Sequence, residues 1–255
     1  MSDRGAGPTL DAVNTSVHEI ADGVYRLSTC LPDVATGGFT MNQYLIDADE
    51  PLLFHTGLRG MFPLVSDAVG RVLDPARLRW ISFGHVEADE CGAMNEWLAA
   101  APDAQVRFHR LGCMVSLEDM ADRPPEPVDD GDRHDLGGHV IRTVATPHVP
   151  HGWEAQVLYD ETTRTLLCGD LFTQLGDGPA LVHDTDLVGP ALEADGVFGA
   201  TALTPSTAPT LRGLADLEPR TLALMHGPAF VGDSAGALRE LADAYEARVT
   251  RAVAS

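Results

Sequence analysis

The succession of hydrophobic patterns predicts an α+β protein, a four-layer αββα sandwich. Two groups of short strand-like runs, within residues 24–109 and 139–225, are each interleaved with or followed by segments of helical spacing. Two sheets packed face to face with helices outside accommodate that order. A chain of 255 residues, 44% hydrophobic and 22% charged, has an ordinary globular composition and length enough for a substantial core.

Each element has its own signal. Val24-Tyr25-Arg26-Leu27 alternates, residues 40–46 are rich in strand formers, and Leu52-Leu53-Phe54 is a short apolar run. Residues 61–73 set Phe62, Val65, Val69 and Val72 at helical spacing and stop at Asp74-Pro75. Residues 78–83 read as a buried strand, 92–100 as a helix and 105–109 as a strand. Residues 122–135, rich in Asp, Pro, Gly and Arg, read as an exposed loop. Strands follow at 139–145, 155–160 and 165–168, the last two joined by a turn at 161–164. Residues 189–216 read as helical with Gly and Pro breaks, and 222–225 as a strand. Ser234 N-caps a helix that carries Leu238, Leu241, Tyr245 and Val249 on one face. Residues 1–17 are expected to be a flexible lead-in and 18–255 a single domain.

Seventeen basic residues, all arginine, stand against 38 acidic ones, for a net charge of −21. Such a surface repels phosphate backbones and anionic lipid, so neither nucleic acid nor a membrane surface is an expected partner. No apolar run approaches the ~20 residues of a membrane span. The N-terminus has no signal-peptide core. Cys30, Cys91, Cys113 and Cys168 form no CxxC pair. Free thiols in a reducing cytoplasm are the expectation.

Four segments carry chemistry, and each follows a predicted strand. His85-Val-Glu87-Ala-Asp89-Glu90 alternates three candidate ligands in a loop. Thr146-Pro-His148-Val-Pro-His151-Gly-Trp153-Glu154 holds two histidines between prolines. Cys168-Gly-Asp170 and Met225-His226-Gly227 each put one polar group beside a glycine. Each alone has a bland reading, since a strand-end Asp commonly caps a helix and a lone His is commonly a polar loop residue. Together they match what a metal site on a rigid β scaffold requires. His18, His109, His134, His139 and His183 lie outside these segments and read as ordinary polar residues. Cys91 and Cys168 read as small buried hydrophobes.

These segments resemble the metallo-β-lactamase superfold, in which HxHxDH, a later His, a bridging Asp and a last His bind two metals. The form His85-x-Glu87-x-Asp89 resembles the variant of flavodiiron proteins and their stand-alone oxygen-binding diiron relatives, over residues 20–250. The resemblance implies one metal on His85, Glu87, His151 and Asp170. It implies a second on Asp89, Asp170 and His226, with Asp170 bridging. His151 is preferred to His148 because His151-Gly-Trp-Glu resembles the family's His-Trp-Pro-Asp stretch. The chain departs from the pattern twice. Glu90 stands where the family has His, and is expected to ligate the second metal, leave water there, or point away. His55 stands where the superfold has Asp, as a donor to a ligating carboxylate or as a core residue.

Three imidazoles and three carboxylates, without thiolate, suit iron or manganese better than zinc. Two Fe ions are therefore expected, with Mn or Zn as alternatives. The chain ends soon after the 234–249 helix, so no FMN domain is expected and electrons would come from a separate redox partner protein. The implied function is a non-haem diiron protein that binds, senses or reduces O2, or NO, and a homodimer by analogy. The alternative is a binuclear metallo-hydrolase in which a metal-bound hydroxide attacks an ester, thioester, lactone or amide substrate. A third reading is a non-catalytic sensor or partner-binding module that keeps one metal.

Overall fold

A computed structural model describes residues 13–254, with side chains to Arg251. Two seven-stranded sheets form the centre. The first runs in sequence order through β1 (Thr15–Ala21), β2 (Val24–Leu31), β3 (Phe39–Ile46), β4 (Leu52–Phe54), β5 (Trp80–Ser82), β6 (Gln105–His109) and β7 (Glu126–Val128). Its first four strands are antiparallel neighbours, and β4 to β7 pair in parallel. The second contains β8 (Arg133–Asp135), β9 (Val140–Ala145), β10 (Gln156–Asp160), β11 (Thr165–Leu167), β12 (Leu181–His183), β13 (Thr221–Ala223) and β14 (Ala229–Val231). Its order is β12-β14-β13-β11-β10-β9-β8.

Three apolar layers hold the sandwich. Between the sheets, Val24, Tyr44, Ile46, Leu52, Phe54 and Trp80 meet Ile141, Leu158, Leu167 and Ala223. The opposite face of the first sheet packs Leu45, Leu53 and Ile81 under helices α1 (Phe62–Val69), α2 (Ala88–Cys91) and α3 (Met94–Ala100), through Val65, Cys91 and Trp97. Next come α4 (Arg110–Gly112), a π-helical stretch Cys113–Leu117 and α5 (Glu118–Met120). The far face of the second sheet packs Val157, Leu166 and Leu222 beneath α6 (Val188–Phe198), α7 (Thr207–Ala215) and α8 (Ser234–Ala254). Strands β3 and β10 are buried along their whole length, as strands covered on both faces are. The predicted four-layer αββα architecture is the observed one.

Several boundaries differ from expectation. Strand β1 begins inside the expected 1–17 lead-in and pairs with β2 from Thr15; residues 1–12 of that lead-in lie outside the described residues. The 122–135 loop contains β7 and β8. Strand β8 is a short charged edge, a design that discourages further pairing. Strands β12 and β14, of three residues each, are too short to show a period. The 61–73 helix ends at Val69, and the 189–216 region is two helices. Among the described residues no helix is long and apolar enough to cross a membrane.

Candidate metal centre

All four chemistry-bearing segments leave the C-terminal ends of strands: His85 after β5, His151 after β9, Asp170 after β11 and His226 after β13. The two sheets bring these ends to one rim. Gln156 clamps them there, its backbone N–H donating to Gly84 O (2.8 Å) and its buried side chain to Ser82 Oγ and Phe83 O (both 3.1 Å). Glycine is required at Gly152, which has φ +79° and whose Cβ would lie 3.1 Å from that of His85. The His151 loop can therefore close against His85, and the two rings meet edge to face with centroids 4.4 Å apart.

His85, Glu87, His151 and Asp170 form a group, each offering one donor atom within 4.8 Å of the others. Glu87 Oε2 accepts from His85 Nε2 (2.7 Å) and His151 Nε2 (3.2 Å). Asp170 faces two ways. Its Oδ2 lies 3.4 Å from His151 Nε2, while its Oδ1 lies 3.2 Å from His226 Nε2. His226 Nε2 is also 3.3 Å from Asp89 Oδ2. The sequence-predicted set of His85, Glu87, Asp89, His151, Asp170 and His226 is thus gathered at one place, with Asp170 between its two halves.

His148 and Glu90, the two further candidates, do not join the group. His148 is exposed and stands outside it. Glu90 is fully buried and turned behind His85: its Oε2 accepts the His85 backbone N–H (2.6 Å), and its Oε1 lies 3.2 Å from His85 Nδ1 and 3.5 Å from His55 Nε2. The two departures from the resembled pattern, His55 and Glu90, therefore face each other, acid and imidazole exchanged between the positions. His55 meets Glu90 and not one of the candidate ligating carboxylates.

Strand β3 holds the His226 segment, a part of the machinery that sequence reading missed. Tyr44 Oη and Asn42 Nδ2 both donate to Leu224 O (2.7 and 2.8 Å). Asn42 Nδ2 and Arg26 Nη2 donate to Gly227 O (2.8 and 2.9 Å). Thr40 Oγ1 accepts the Gly227 N–H, and Thr40 O accepts from His226 Nδ1, each at 2.7 Å. That last bond leaves Nε2 facing the carboxylates. The legible signal is polar residues inside an otherwise apolar strand. Glu154 is buried and accepts the Val86 N–H at 3.1 Å, steadying the His85–Glu87 loop, whereas Trp153 is exposed.

The electrostatics are those of carboxylates held with protonated imidazoles. Burial opposes charge on His85, but Glu90 and Glu87 beside it outweigh burial and push its pKa up to about 12. Burial likewise opposes charge on His226, and Asp170 and Asp89 raise it to about 10. Hydrogen bonds from His151 and His85 hold Glu87 well below the usual carboxylate range. Buried Asp170 is held low by His226 and its neighbours. Concentrated negative charge, matched in the metal-free protein by protons, suits displacement of those protons by cations. Asp170 Oδ1, buried and without a hydrogen bond, is a donor that a cation would satisfy. The residues therefore fit a metal pair. Beyond them opens a cavity of about 320 Å³ walled by Phe39, Phe172, Ala194, Phe198 and Tyr245.

An αββα sandwich with imidazoles and carboxylates gathered at its strand ends defines a protein of the metallo-β-lactamase type, with the core fold of flavodiiron proteins. Residues 39–189, more than half of the chain, match the family described as ODP family beta lactamase, and the chain belongs to that family. Among sequence relatives, diflavin flavoprotein A 1 of Synechocystis sp. is 30% identical over 138 residues, which is 53% of this chain and 24% of the relative. The chain thus spans about a quarter of that protein's length. Among solved structures, the rubredoxin oxygen:oxidoreductase of Desulfovibrio gigas superposes with a TM-score of 0.76 at 19% identity, over 91% of this chain and 62% of that one. The apo chemotaxis sensor ODP from T. denticola gives 0.71 at 21% identity, over 89% and 93%. These structural likenesses are likenesses of fold.

Proposed function

We propose that this chain is a non-haem diiron protein that binds, senses or reduces O2, with NO as an alternative diatomic ligand. His85, Glu87, His151 and Asp170 would hold one ion, Asp89, Asp170 and His226 the other. The observation that carries the reading is Glu87, whose single oxygen Oε2 pairs with both His85 and His151. A carboxylate in that place makes the donor set harder than an all-imidazole one, which favours iron or manganese. Two Fe(II) ions so held would supply electrons to a diatomic ligand. The protein's own groups do the rest: Asp170 offers one oxygen to each half, Thr40 aims His226, and the phenylalanines of the cavity limit water beside the centre. A redox partner protein would supply electrons for turnover. The relatives' names support both outcomes, one being an oxygen oxidoreductase and another a chemotaxis sensor.

The test is to purify the protein with iron under argon, measure the metal, and admit air. About two irons per chain and a new near-UV absorption of ferric iron are expected. Trace iron and an unchanged spectrum would rule the reading out. One observation favours a second reading: a cavity of about 320 Å³ far exceeds what a diatomic molecule needs, and lies at the lower end of small-molecule pockets. A binuclear hydrolase acting on an ester, thioester, lactone or amide would use that space. Hydrolysis by zinc- or manganese-loaded protein, abolished by Asp170→Asn, with no response to air in the iron form, would select it.

A further inference from the structure

We propose that Glu90 is a positioning residue for His85 and not a metal ligand. This rests on the metal-site reading above, but its geometry stands independently. Glu90 has no solvent exposure, and both of its oxygens are turned to His85: Oε2 takes the backbone N–H at 2.6 Å and Oε1 lies 3.2 Å from Nδ1. His55, also fully buried, stands 3.5 Å from the same Oε1 on the other side. Oε1 completes no hydrogen bond, so the two ring nitrogens are the donors within its reach.

The surroundings are built around this carboxylate. A Cβ at Gly84 would come within 2.9 Å of Oε2 and 3.0 Å of Oε1, so a larger residue there would displace the carboxylate. The Glu90 carbonyl is pinned by Thr56, through the backbone N–H at 2.6 Å and Oγ1 at 3.0 Å. With the backbone so fixed, the 2.6 Å bond from the His85 N–H holds the carboxylate beside His85.

The consequence is chemical. An imidazole that ligates through Nε2 needs its proton on Nδ1, and a partner at Nδ1 selects that form and makes Nε2 a better donor. For His226 the partner is the Thr40 carbonyl; for His85 the acceptor within reach of Nδ1 is the Glu90 carboxylate oxygen 3.2 Å away. Because Glu90 is spent on His85, the second metal position has three protein donors and the first has four.

The experiment uses the full chain with Glu90→Gln and Glu90→Ala. Glutamine offers one acceptor and one donor where His85 presents two donors, so one of the two contacts turns repulsive. Two-step zinc binding is measured by chelator competition, and the His85 Nδ1 proton by 1H–15N NMR in the metal-free protein. For Glu90→Gln we expect the tighter step to weaken about 10–100-fold, the weaker step to persist, and the slowly exchanging Nδ1–H signal to be lost. Glu90→Ala should lose more; if it does not fold, the glutamine variant carries the test. Loss confined to the weaker step would make Glu90 a ligand of the second metal and overturn the proposal. So would unchanged binding together with an unchanged Nδ1 signal. A wild-type protein that binds no zinc would instead defeat the metal-site reading, and the Nδ1 signal alone would then decide the role of Glu90.

Discussion

The two halves of the centre are built differently. The half around His85, Glu87 and His151 comes from loops after β5 and β9, with donor atoms that crowd within 4.8 Å. The half around Asp89 and His226 has fewer donors, but its histidine is anchored by β3 through Thr40, Asn42 and Tyr44. One half is rich in donors and the other in backbone support. Asp170, with one oxygen towards each, is the only candidate ligand shared by both. The difference teaches that donor number and positional rigidity can be assigned to separate parts of one site.

The largest effect is expected from Asp170→Asn, which weakens a donor to both halves; metal content by elemental analysis should fall towards zero. A variant that keeps both metals would show that the halves are independent. Next, His85→Ala or Glu87→Ala should abolish the tighter binding step, while His226→Ala should remove only the weaker and leave about one metal per chain. Equal loss from all three would erase the distinction between the halves.

The pH dependence follows from the protonated imidazoles. His85 is raised from an ordinary 6.5 to about 12, so its contribution to metal-free stability is complete below 6.5 and is lost as pH climbs towards 12. Glu87 is depressed, so its contribution is complete above its ordinary 4.5 and is lost as pH falls through its lower folded value. Metal must evict the imidazole protons and should bind up to about tenfold tighter per pH unit for each proton released. Calorimetry in buffers of different ionisation heat should detect that release at pH 7, and a buffer-independent heat would contradict the protonation described here. The smallest effect concerns the β3 clamp. Asn42→Ala withdraws a donor from Leu224 O and Gly227 O and should cost about 1–3 kcal/mol in denaturant unfolding. It should weaken the second metal step and spare the first; equal weakening of both would place the clamp's influence on the whole rim.

Much of this architecture was legible beforehand. Strand formers cluster at β3 and β10, and α8 shows a helical face at Leu238, Leu241 and Tyr245. The candidate site was legible because His or carboxylate beside Gly or Pro recurred after four predicted strands. Strands β7, β8, β12 and β14 escaped notice because they are short pieces within loops, defined by pairing with a neighbour. Arg26 reads as one member of an alternating strand, although the residue is 2% exposed and its guanidinium reaches a carbonyl 201 residues away.

The order of residues alone determined which side chains were available to meet, since loops after apolar strands emerge at strand ends whatever the sheets do next. Only the tertiary structure decided which way Glu90 turns. Its Oε2 takes the His85 N–H, and its Oε1 lies between His85 Nδ1 and His55, which the parallel pairing of β4 with β5 brings alongside. The orientation of a buried carboxylate is set by the donors that surround it, and here one donor is five residues away while the other comes from a separate strand.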